Sequence, residues 1–217
     1  MRNPRSYLRS HPECLRLYAV TDSAWLDGRS LESCVDGAVE GGATFVQLRD
    51  KHAGVEGLVD AARRLGAVCG ERAVFVVNDS VEAALAADAD GVHVGQDDAA
   101  CRDARALLGP DKIVGVSVQT VEQALDAVSQ GADYLGVGAL FKTATKPEAA
   151  DVSMEELAAI CAAVDVPVVG IGGLNEATVA CLAGTGGEGA AVVSAIFAAP
   201  DTCAAARELR RIIDAAL

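Results

Sequence analysis

Polar side chains in this sequence gather directly after short apolar runs, where they could act together on a ligand. The stretch ATFVQLRDK, from Ala43 to Lys51, changes from strand-forming residues to an amide and two cations, with Gln47, Arg49 and Lys51 at alternate positions. Side chains at alternate positions of an extended backbone lie on the same face. Arginine offers a planar fork of donors and lysine a compact charge, so this pattern suits a bound diphosphate.

Two carboxylates follow the next two apolar runs, Asp79 in the string NDS and Asp98 in the string GQDD. Because they come from neighbouring strands, they could share one hard cation. Ligation by oxygen alone favours Mg²⁺, which takes its other ligands from water and substrate phosphates. Aspartate is also a preferred residue at the start of a helix, and a helical pattern follows each of the two. Metal binding and helix capping therefore both stay open for these residues.

The later part of the sequence carries a second signal for an anion. The string GIGG (170–173) ends one apolar run, and Val193 and Ser194 end the next. Backbone N–H groups at such positions form the usual phosphate site of barrel enzymes, and glycine keeps those amides accessible. A tight turn is the alternative for GIGG. Lys146, in KTATK, is a third cation that could converge with those of QLRDK on one anion, although each cation taken singly could form a rim ion pair.

The sequence shows no set of residues for nucleophilic catalysis. It has no evident Ser/His/Asp or Cys/His arrangement, no H-E-x-x-H string and no P-loop. Of the three histidines, His93 lies inside a strand pattern and is interpreted as a residue of the folded core rather than as a catalytic group. The pattern therefore favours stabilisation of a leaving diphosphate over attack by a protein side chain.

The elements that position these residues are eight β-rich runs that alternate with Ala- and Leu-rich runs of helical spacing. Eight such units in 217 residues predict an α/β fold, a single (β/α)8 TIM barrel, rather than an open doubly wound sheet. The active site of such a barrel lies at the C-terminal ends of the strands, where the polar residues fall. The predicted strands are 15–20, 44–48, 73–77, 91–94, 113–117, 134–138, 167–171 and 190–194, and the predicted helices lie near 30–41, 55–70, 81–87, 99–108, 120–130, 153–164, 175–184 and 201–216.

The composition limits where the protein acts and what it binds. Its formal net charge of −13 disfavours nucleic acid and anionic membranes as partners, because both attract basic surfaces. The seven cysteines are scattered without a C-x-x-C pair, and the N-terminus lacks the apolar segment of a signal peptide. We therefore expect a cytoplasmic protein that binds small molecules, with a polar N-terminal extension over 1–14 and one barrel domain over 15–217.

The strand exits, taken in order, closely resemble the thiamine phosphate synthase family. The matching strings are LYAVTD, QLRDK, NDS, GVHVGQDD, GVSVQT, TATK, PVVGIGG and VVSAI, and they cover the chain from Leu17 onwards. The resemblance implies a transferase of thiamine biosynthesis that couples hydroxymethylpyrimidine diphosphate with hydroxyethylthiazole phosphate, giving thiamine phosphate and diphosphate. It also implies a dissociative mechanism, in which diphosphate leaves, the aminopyrimidine stabilises a methylene cation, and the thiazole nitrogen captures it.

The resemblance also implies roles for individual residues. Mg²⁺ would be bound by Asp79 and Asp98. The pyrimidine diphosphate would be held by Gln47, Arg49, Lys51, Asn78, Ser117 and Lys146, among which the catalytic residues would be Arg49, Lys51, Ser117 and Lys146. The thiazole phosphate would be contacted by Thr143, Thr145, Gly172, Gly173, Val193 and Ser194.

Three positions depart from the family pattern. Gln119 stands where a histidine is often found, Lys142 replaces a common proline, and Ser80 stands where arginine or aspartate is usual. None of the three is an expected metal or diphosphate ligand. Barrels of this family are often dimers or larger, so a homo-oligomer is a further expectation from the resemblance.

Two other functions compete with the synthase. A thiazole tautomerase relative would share the barrel and the phosphate site, but it would lack Asp79, Asp98 and Lys146 and would need a histidine for proton transfer where this sequence has Gln119. A non-catalytic sensor of a phosphorylated ligand would need only GIGG and the residues after the eighth strand. That interpretation leaves the cations and carboxylates without a role.

Overall fold

The computed structural model describes residues 3–95, 101–142 and 152–217, and within them eight parallel strands close into a barrel. Each strand begins and ends within two residues of its predicted range, so the predicted (β/α)8 barrel is confirmed. The strands are β1 (Leu17–Val20), β2 (Phe45–Leu48), β3 (Val74–Asn78), β4 (Gly91–Val94), β5 (Ile113–Val118), β6 (Tyr134–Val137), β7 (Val168–Ile171) and β8 (Gly189–Val192).

Each strand pairs with its neighbours in chain order, and β1 pairs with β8 to close the barrel. Tyr18 on β1 lies opposite Phe45 on one side and Ala191 on the other, and all three side chains face the interior. Because side chains alternate along a strand, this register also turns Gln47 inward, two residues beyond Phe45.

Helices cover the outside of the barrel. Five of them begin at a Ser, Thr or Asp whose side chain accepts from the backbone N–H three residues on, which satisfies a donor that the first turn leaves unpaired. The helices of the described residues are α1 (Pro4–Ser10), α2 (Leu31–Glu40), α3 (Val55–Cys69), α4 (Val81–Ala86), α5 (Cys101–Leu108), α6 (Val121–Ser129), α7 (Met154–Ala163), α8 (Ser194–Phe197) and α9 (Thr202–Ala216).

The helix predicted at 175–184 is wrong in its extent, because only a 3₁₀ turn forms there, at Val179–Leu182. Asn175 Oδ1 accepts from the Ala177 N–H at 2.9 Å, and Thr178 Oγ1 accepts from the Asn175 N–H at 3.0 Å. Such side-chain bonds to nearby backbone compete with helix formation. Gly184, at φ +75°, then turns the chain away.

Two separate apolar cores hold the molecule together. The larger lies between the strands and the surrounding helices, whereas the smaller fills the barrel interior around Tyr18, Phe45 and Tyr134. Their rings approach with centroids 4.5 to 6.0 Å apart in tilted or edge-on arrangements. Edge-on contact is the favoured geometry for such rings. The barrel interior around these three rings is therefore packed with side chains.

The described part of the predicted N-terminal extension covers the opposite end of the barrel. Leu8 of α1 is fully buried and belongs to the interior core, together with Cys14 and Leu15 of the following 3₁₀ turn. The Arg5 N–H donates to Asp111 O at 3.1 Å, just before β5 begins. The N-terminal ends of the strands are thus capped by this segment, far from the exits.

Across the three described stretches, every helix is too short or too polar to cross a bilayer.

Candidate active site

The exit of β2 combines an inward amide with a cation fixed to the exit of β1. Gln47 is buried, and its Nε2 donates to the Tyr18 hydroxyl at 2.5 Å. The Arg49 N–H donates to Thr21 Oγ1 at 2.9 Å, and its guanidinium Nη1 donates to Asp22 Oδ2 at 3.0 Å. Arg49 is therefore held in place by both its backbone and its side chain.

Lys51 lies in a turn rather than on a continuing strand. β2 ends at Leu48, and Asp50 Oδ1 accepts from two following backbone N–H groups at 2.9 and 3.2 Å. The alternation predicted for this stretch therefore stops short of Lys51, which is exposed. An open cleft beside the turn is lined by Asp22, Ser23, Ala24, Trp25, Arg49, Asp50, Lys51 and His52.

Asp79 takes a left-handed backbone conformation at the exit of β3, with φ +62°. Its N–H donates to His93 O at 2.8 Å, and Asn78 Nδ2 donates to Asp79 Oδ2 at 2.5 Å. A left-handed residue other than glycine costs energy and is concentrated at functional sites. Ser80 caps α4 through its Oγ, so the capping alternative is wrong for Asp79.

The donors at the β3 exit fit a hard divalent cation. The Asp79 carboxylate is exposed beside Asn78, and oxygen donors of this kind are what Mg²⁺ prefers. The other predicted ligand, Asp98, lies outside the described residues. Within 3–95, 101–142 and 152–217, no three His, Cys, Asp or Glu side chains come together as a metal site.

Ser117 occupies the exit of β5 and contacts a buried histidine. Its Oγ lies 2.9 Å from His93 Nε2, and His93 is 7% exposed within the barrel, in agreement with its interpretation as a core residue. Two residues further on, Gln119 Nε2 donates to Gly138 O at 3.3 Å. Gln119 therefore connects the exit of β5 to that of β6.

The glycines after β7 allow two strand exits to approach closely. Gly172 and Gly173 have φ of +97° and +67°, which side chains other than hydrogen rarely permit. A Cβ on Gly173 would lie 2.6 Å from the Cβ of Phe141, and one on Gly172 would lie 2.6 Å from the Cα of Ala139. The turn therefore needs glycine for both its conformation and its contacts.

The exit of β8 leads directly into α8. Val193 is half-buried against the interior core, and the exposed Ser194 begins the helix. At the other end of α8, the guanidinium of Arg29 donates to Phe197 O and Ala199 O, each at 2.6 Å. The position of Val193 and Ser194 is thus tied to the loop after β1.

Four predicted site residues, Asp98, Thr143, Thr145 and Lys146, lie outside the described residues. The described chain on either side of 143–151 lies near the exit of β7. The Leu140 N–H donates to Ile171 O at 3.0 Å, and the Val152 N–H donates to Ala139 O at 2.8 Å.

Several residues that shape the exits were not identified from the sequence. Tyr18 and Tyr134 occupy inward strand positions, and burial raises the pKa of both hydroxyls, so they stay protonated. Asp22, the last residue of the string LYAVTD, and Arg29 lie in the loop after β1, and their partners Arg49, Phe197 and Ala199 are distant in sequence. The one signal available for the tyrosines was their place in the alternating strand pattern.

The fold and the exits together define the class. A closed parallel barrel that gathers an amide, cations, a carboxylate and a glycine turn at the C-terminal ends of its strands is typical of (β/α)8 enzymes that bind phosphorylated ligands.

Comparisons with known proteins agree. Residues 17–196 match the family described as thiamine monophosphate synthase. The thiamine-phosphate synthase of Chloroflexus aurantiacus is 48% identical over 91% of this chain and 92% of its own length, and that of Moorella thermoacetica is 44% identical over 91% and 95%. The structure of the thiamine phosphate pyrophosphorylase from Pyrococcus furiosus superposes with a TM-score of 0.87 at 38% identity, covering 94% of this chain and 98% of that one. The chain belongs to the thiamine monophosphate synthase family and is a transferase that makes thiamine phosphate.

Proposed function

We propose that this transferase couples hydroxymethylpyrimidine diphosphate with hydroxyethylthiazole phosphate in a Mg²⁺-dependent, dissociative reaction. The observation that carries the proposal is the presence of Gln47 and Arg49 at the exit of β2, Asp79 at that of β3 and Ser117 at that of β5, all at one end of a closed barrel of this family. The reaction needs groups that bind two anions and stabilise a leaving charge, and the presence of such residue types at these exits supports the proposal.

The pyrimidine diphosphate is assigned to the exits of β2, β3 and β5. Buried Gln47 would bond the edge of the pyrimidine, and Arg49 and Lys51, which line the open cleft, would bind the diphosphate. Lys146 is assigned to the same anion by resemblance. The remaining contacts are assigned to Asn78 and Ser117.

Mg²⁺ would be held by Asp79 and Asp98. When bound, it would neutralise part of the charge on the diphosphate. Asn78 donates to the Asp79 carboxylate and fixes its orientation, as partners of metal ligands commonly do.

The thiazole phosphate is assigned to the backbone N–H groups around the turn after β7 and the exit of β8. Glycine at 172 and 173 leaves those amides uncovered. The contacts are assigned to Thr143, Thr145, Gly172, Gly173, Val193 and Ser194.

The reaction requires this chain to position the two substrates and to stabilise the charge that develops. The bond between the methylene carbon and the diphosphate oxygen breaks, and both its electrons leave with diphosphate. The resulting cation is stabilised by the aminopyrimidine ring, and the lone pair of the thiazole nitrogen then forms the new C–N bond. Arg49, Lys51 and Lys146 stabilise the departing charge, so no protein nucleophile is needed.

The test is formation of thiamine phosphate and diphosphate from the two substrates, with and without Mg²⁺, in wild type and in Asp79→Asn. Asparagine tolerates the left-handed conformation and keeps the size, so the variant loses mainly charge. We expect kcat/KM to fall about 100-fold, with a higher Mg²⁺ requirement.

The matched control is Asp88→Asn. Asp88 is also left-handed, with φ +51°, but it lies before β4, at the end of the barrel away from the strand exits. It should keep wild-type kinetics. A rate of product formation that depends neither on Mg²⁺ nor on the Asp79→Asn substitution would contradict the metal assignment. Binding of thiazole phosphate without any coupling would favour a tautomerase or a sensor.

We further propose that the enzyme acts in the cytoplasm as a homo-oligomer. The support is the family resemblance and the seven cysteines, which are scattered along the sequence without a C-x-x-C pair, as is usual in a reducing compartment. Light scattering of the purified chain would test the oligomer.

A further inference from the structure

A continuous row of polar side chains crosses the interior of the barrel from one assigned substrate contact to another. Gln47 Nε2 lies 2.5 Å from the Tyr18 hydroxyl, which lies 2.9 Å from that of Tyr134. The Tyr134 hydroxyl lies 2.9 Å from His93 Nδ1, and His93 Nε2 lies 2.9 Å from Ser117 Oγ. The row therefore joins the exits of β2 and β5 through residues that themselves lie below the cleft.

The residues of the row are buried in the barrel interior, where an unmade hydrogen bond is costly. The exposed fractions are 4% for Gln47, 1% for Tyr18, 0% for Tyr134 and 7% for His93. A buried polar group without a partner is costly, so each member constrains the next. Phenylalanine in place of either tyrosine would fill the barrel without a buried hydroxyl that needs a partner.

The neighbouring strands are shaped to admit the two rings at the centre of the row. A Cβ on Gly115 would overlap the Tyr134 ring, and a Cβ on Gly136 would lie 3.2 Å from His93 Cε1. Both glycines are on strands, β5 and β6, where glycine is otherwise unfavourable. Glycine at these two positions is explained by the space that the Tyr134 and His93 rings require.

The distances in the row fix the partners, and one arrangement of protons satisfies all four contacts. In that arrangement the Gln47 amide nitrogen donates to the Tyr18 oxygen, and the Tyr18 O–H donates to Tyr134. The Tyr134 O–H donates to His93 Nδ1, and an imidazole with its proton on Nε2 donates to Ser117 Oγ. The Ser117 hydrogen is then directed at an acceptor other than His93.

We propose that His93 and Tyr134 are positioning residues that hold the Ser117 hydroxyl as a donor to the anionic oxygens of the pyrimidine diphosphate. This inference rests on the proposed function, which assigns Ser117 to that substrate. The row orients the serine from below by making its oxygen an acceptor. Neither His93 nor Tyr134 needs to touch substrate.

The test is Tyr134→Phe, which removes one oxygen and keeps the ring for which Gly115 leaves space. At a fixed pH near 7.5, NMR of ¹⁵N-histidine-labelled protein should show the His93 proton on Nε2 in wild type. In the variant we expect a changed tautomer population, because Nδ1 has lost its donor. We also expect kcat to fall about 10-fold while the KM for thiazole phosphate stays unchanged.

A double-mutant cycle separates positioning from a general loss of stability. If Tyr134 acts through Ser117, Tyr134→Phe should have little further effect on kcat in a Ser117→Ala background. Tyr7→Phe is the matched control, because Tyr7 packs against the same interior core but lies outside the row. It should leave both kcat and the His93 tautomer unchanged.

The row would be refuted by a wild-type His93 protonated on Nδ1, or by a tautomer that Tyr134→Phe leaves unaltered. Equal losses of kcat in the wild-type and Ser117→Ala backgrounds would refute the role of the row in positioning Ser117. An inactive wild type would overturn the proposed function and the substrate role of Ser117, while the NMR measurement would still decide whether the row is ordered as described.

Discussion

Gly173 illustrates how a single residue can determine the geometry of a strand exit. Its φ of +67° is strained for any other residue, and a Cβ there would lie 2.6 Å from the Cβ of Phe141. Alanine must therefore either displace the exit of β6 or distort the turn after β7. Both responses disturb the backbone amides assigned to the thiazole phosphate.

We predict that Gly173→Ala raises the KM for thiazole phosphate at least about 10-fold and lowers the free energy of unfolding by about 1 to 3 kcal/mol. Steady-state kinetics with saturating pyrimidine diphosphate and urea denaturation would measure the two effects. Gly184→Ala is the control, since Gly184 has φ +75° but a Cβ added there would meet no atom within 4 Å. A KM increase of the same size in both variants would show that strain alone, rather than the contact with Phe141, explains the effect.

Individual site residues could be predicted where strand periodicity locates an exit. Gln47 and Ser117 lie on β2 and β5 where alternation places them, and Arg49 follows directly after β2, because the end of an apolar run marks the end of a strand. The role of Asp79 could not be resolved in this way. Asp79 and Ser80 are both good caps, and the choice between them depends on the bond from the Asp79 N–H to His93 O on the neighbouring strand.

Between elements, Arg29 connects the loop after β1 to the end of α8. Its guanidinium donates to Trp25 O and Leu26 O in its own loop, and to Phe197 O and Ala199 O beyond β8. Carbonyls at a helix end lack partners within the helix, so a planar fork of donors can satisfy several at once. The same loop includes Asp22, the partner of Arg49, so one segment contacts both assigned anion sites.

We predict that Arg29→Lys raises the KM for thiazole phosphate about 10-fold with a small effect on kcat. Lysine keeps the charge but cannot reach four carbonyls, so α8 and the preceding Val193 and Ser194 lose their support. Kinetics with each substrate varied in turn would measure the effect. In Arg63→Lys, the control, one guanidinium bond at 3.1 Å to Ala86 O is lost away from the exits, and kinetics should not change. An unchanged KM in Arg29→Lys would show that the guanidinium of Arg29 is not needed to hold α8 in place.

Element boundaries show where sequence patterns suffice and where they fail. All eight strands were predictable because each is a short apolar run buried on both faces. The helix at 175–184 was overpredicted because its apolar spacing is helical, while Asn175 and Thr178 use their side chains to hold a different backbone. The contact of Arg29 with α8 was not predictable, since Phe197 O and Ala199 O are backbone carbonyls about 170 residues away in sequence.

For the molecule as a whole, the two ends of the barrel carry different kinds of residues. The exits carry the polar residues assigned to substrate, whereas the N-terminal ends are closed by α1 and by a buried ion cluster. The Asp133 side chain is 0% exposed and accepts from Arg5 Nε at 2.6 Å, from Arg105, and from the Val114 N–H at 3.0 Å. The barrel class could be predicted from eight repeated units, but this cluster could not, because Arg5 and Asp133 are 128 positions apart.

We predict that Asp133→Asn lowers the free energy of unfolding by about 3 to 5 kcal/mol, because it leaves Arg5 and Arg105 partly buried without a counter-charge. For a chain of this size that loss corresponds to a Tm lower by about 10 °C, measurable by circular dichroism. Asp214→Asn is the control, since the Arg210–Asp214 pair is on the surface and 48% exposed at the carboxylate, and pairs of this kind contribute about 0.5 kcal/mol. Because Asp133 lies at the end opposite the exits, kcat and both KM values should stay at wild-type levels below the unfolding transition.

A Tm no lower than that of the control would show that the cluster does not hold α1 on the barrel. Altered kinetics at low temperature would show instead that the two ends of the barrel are coupled.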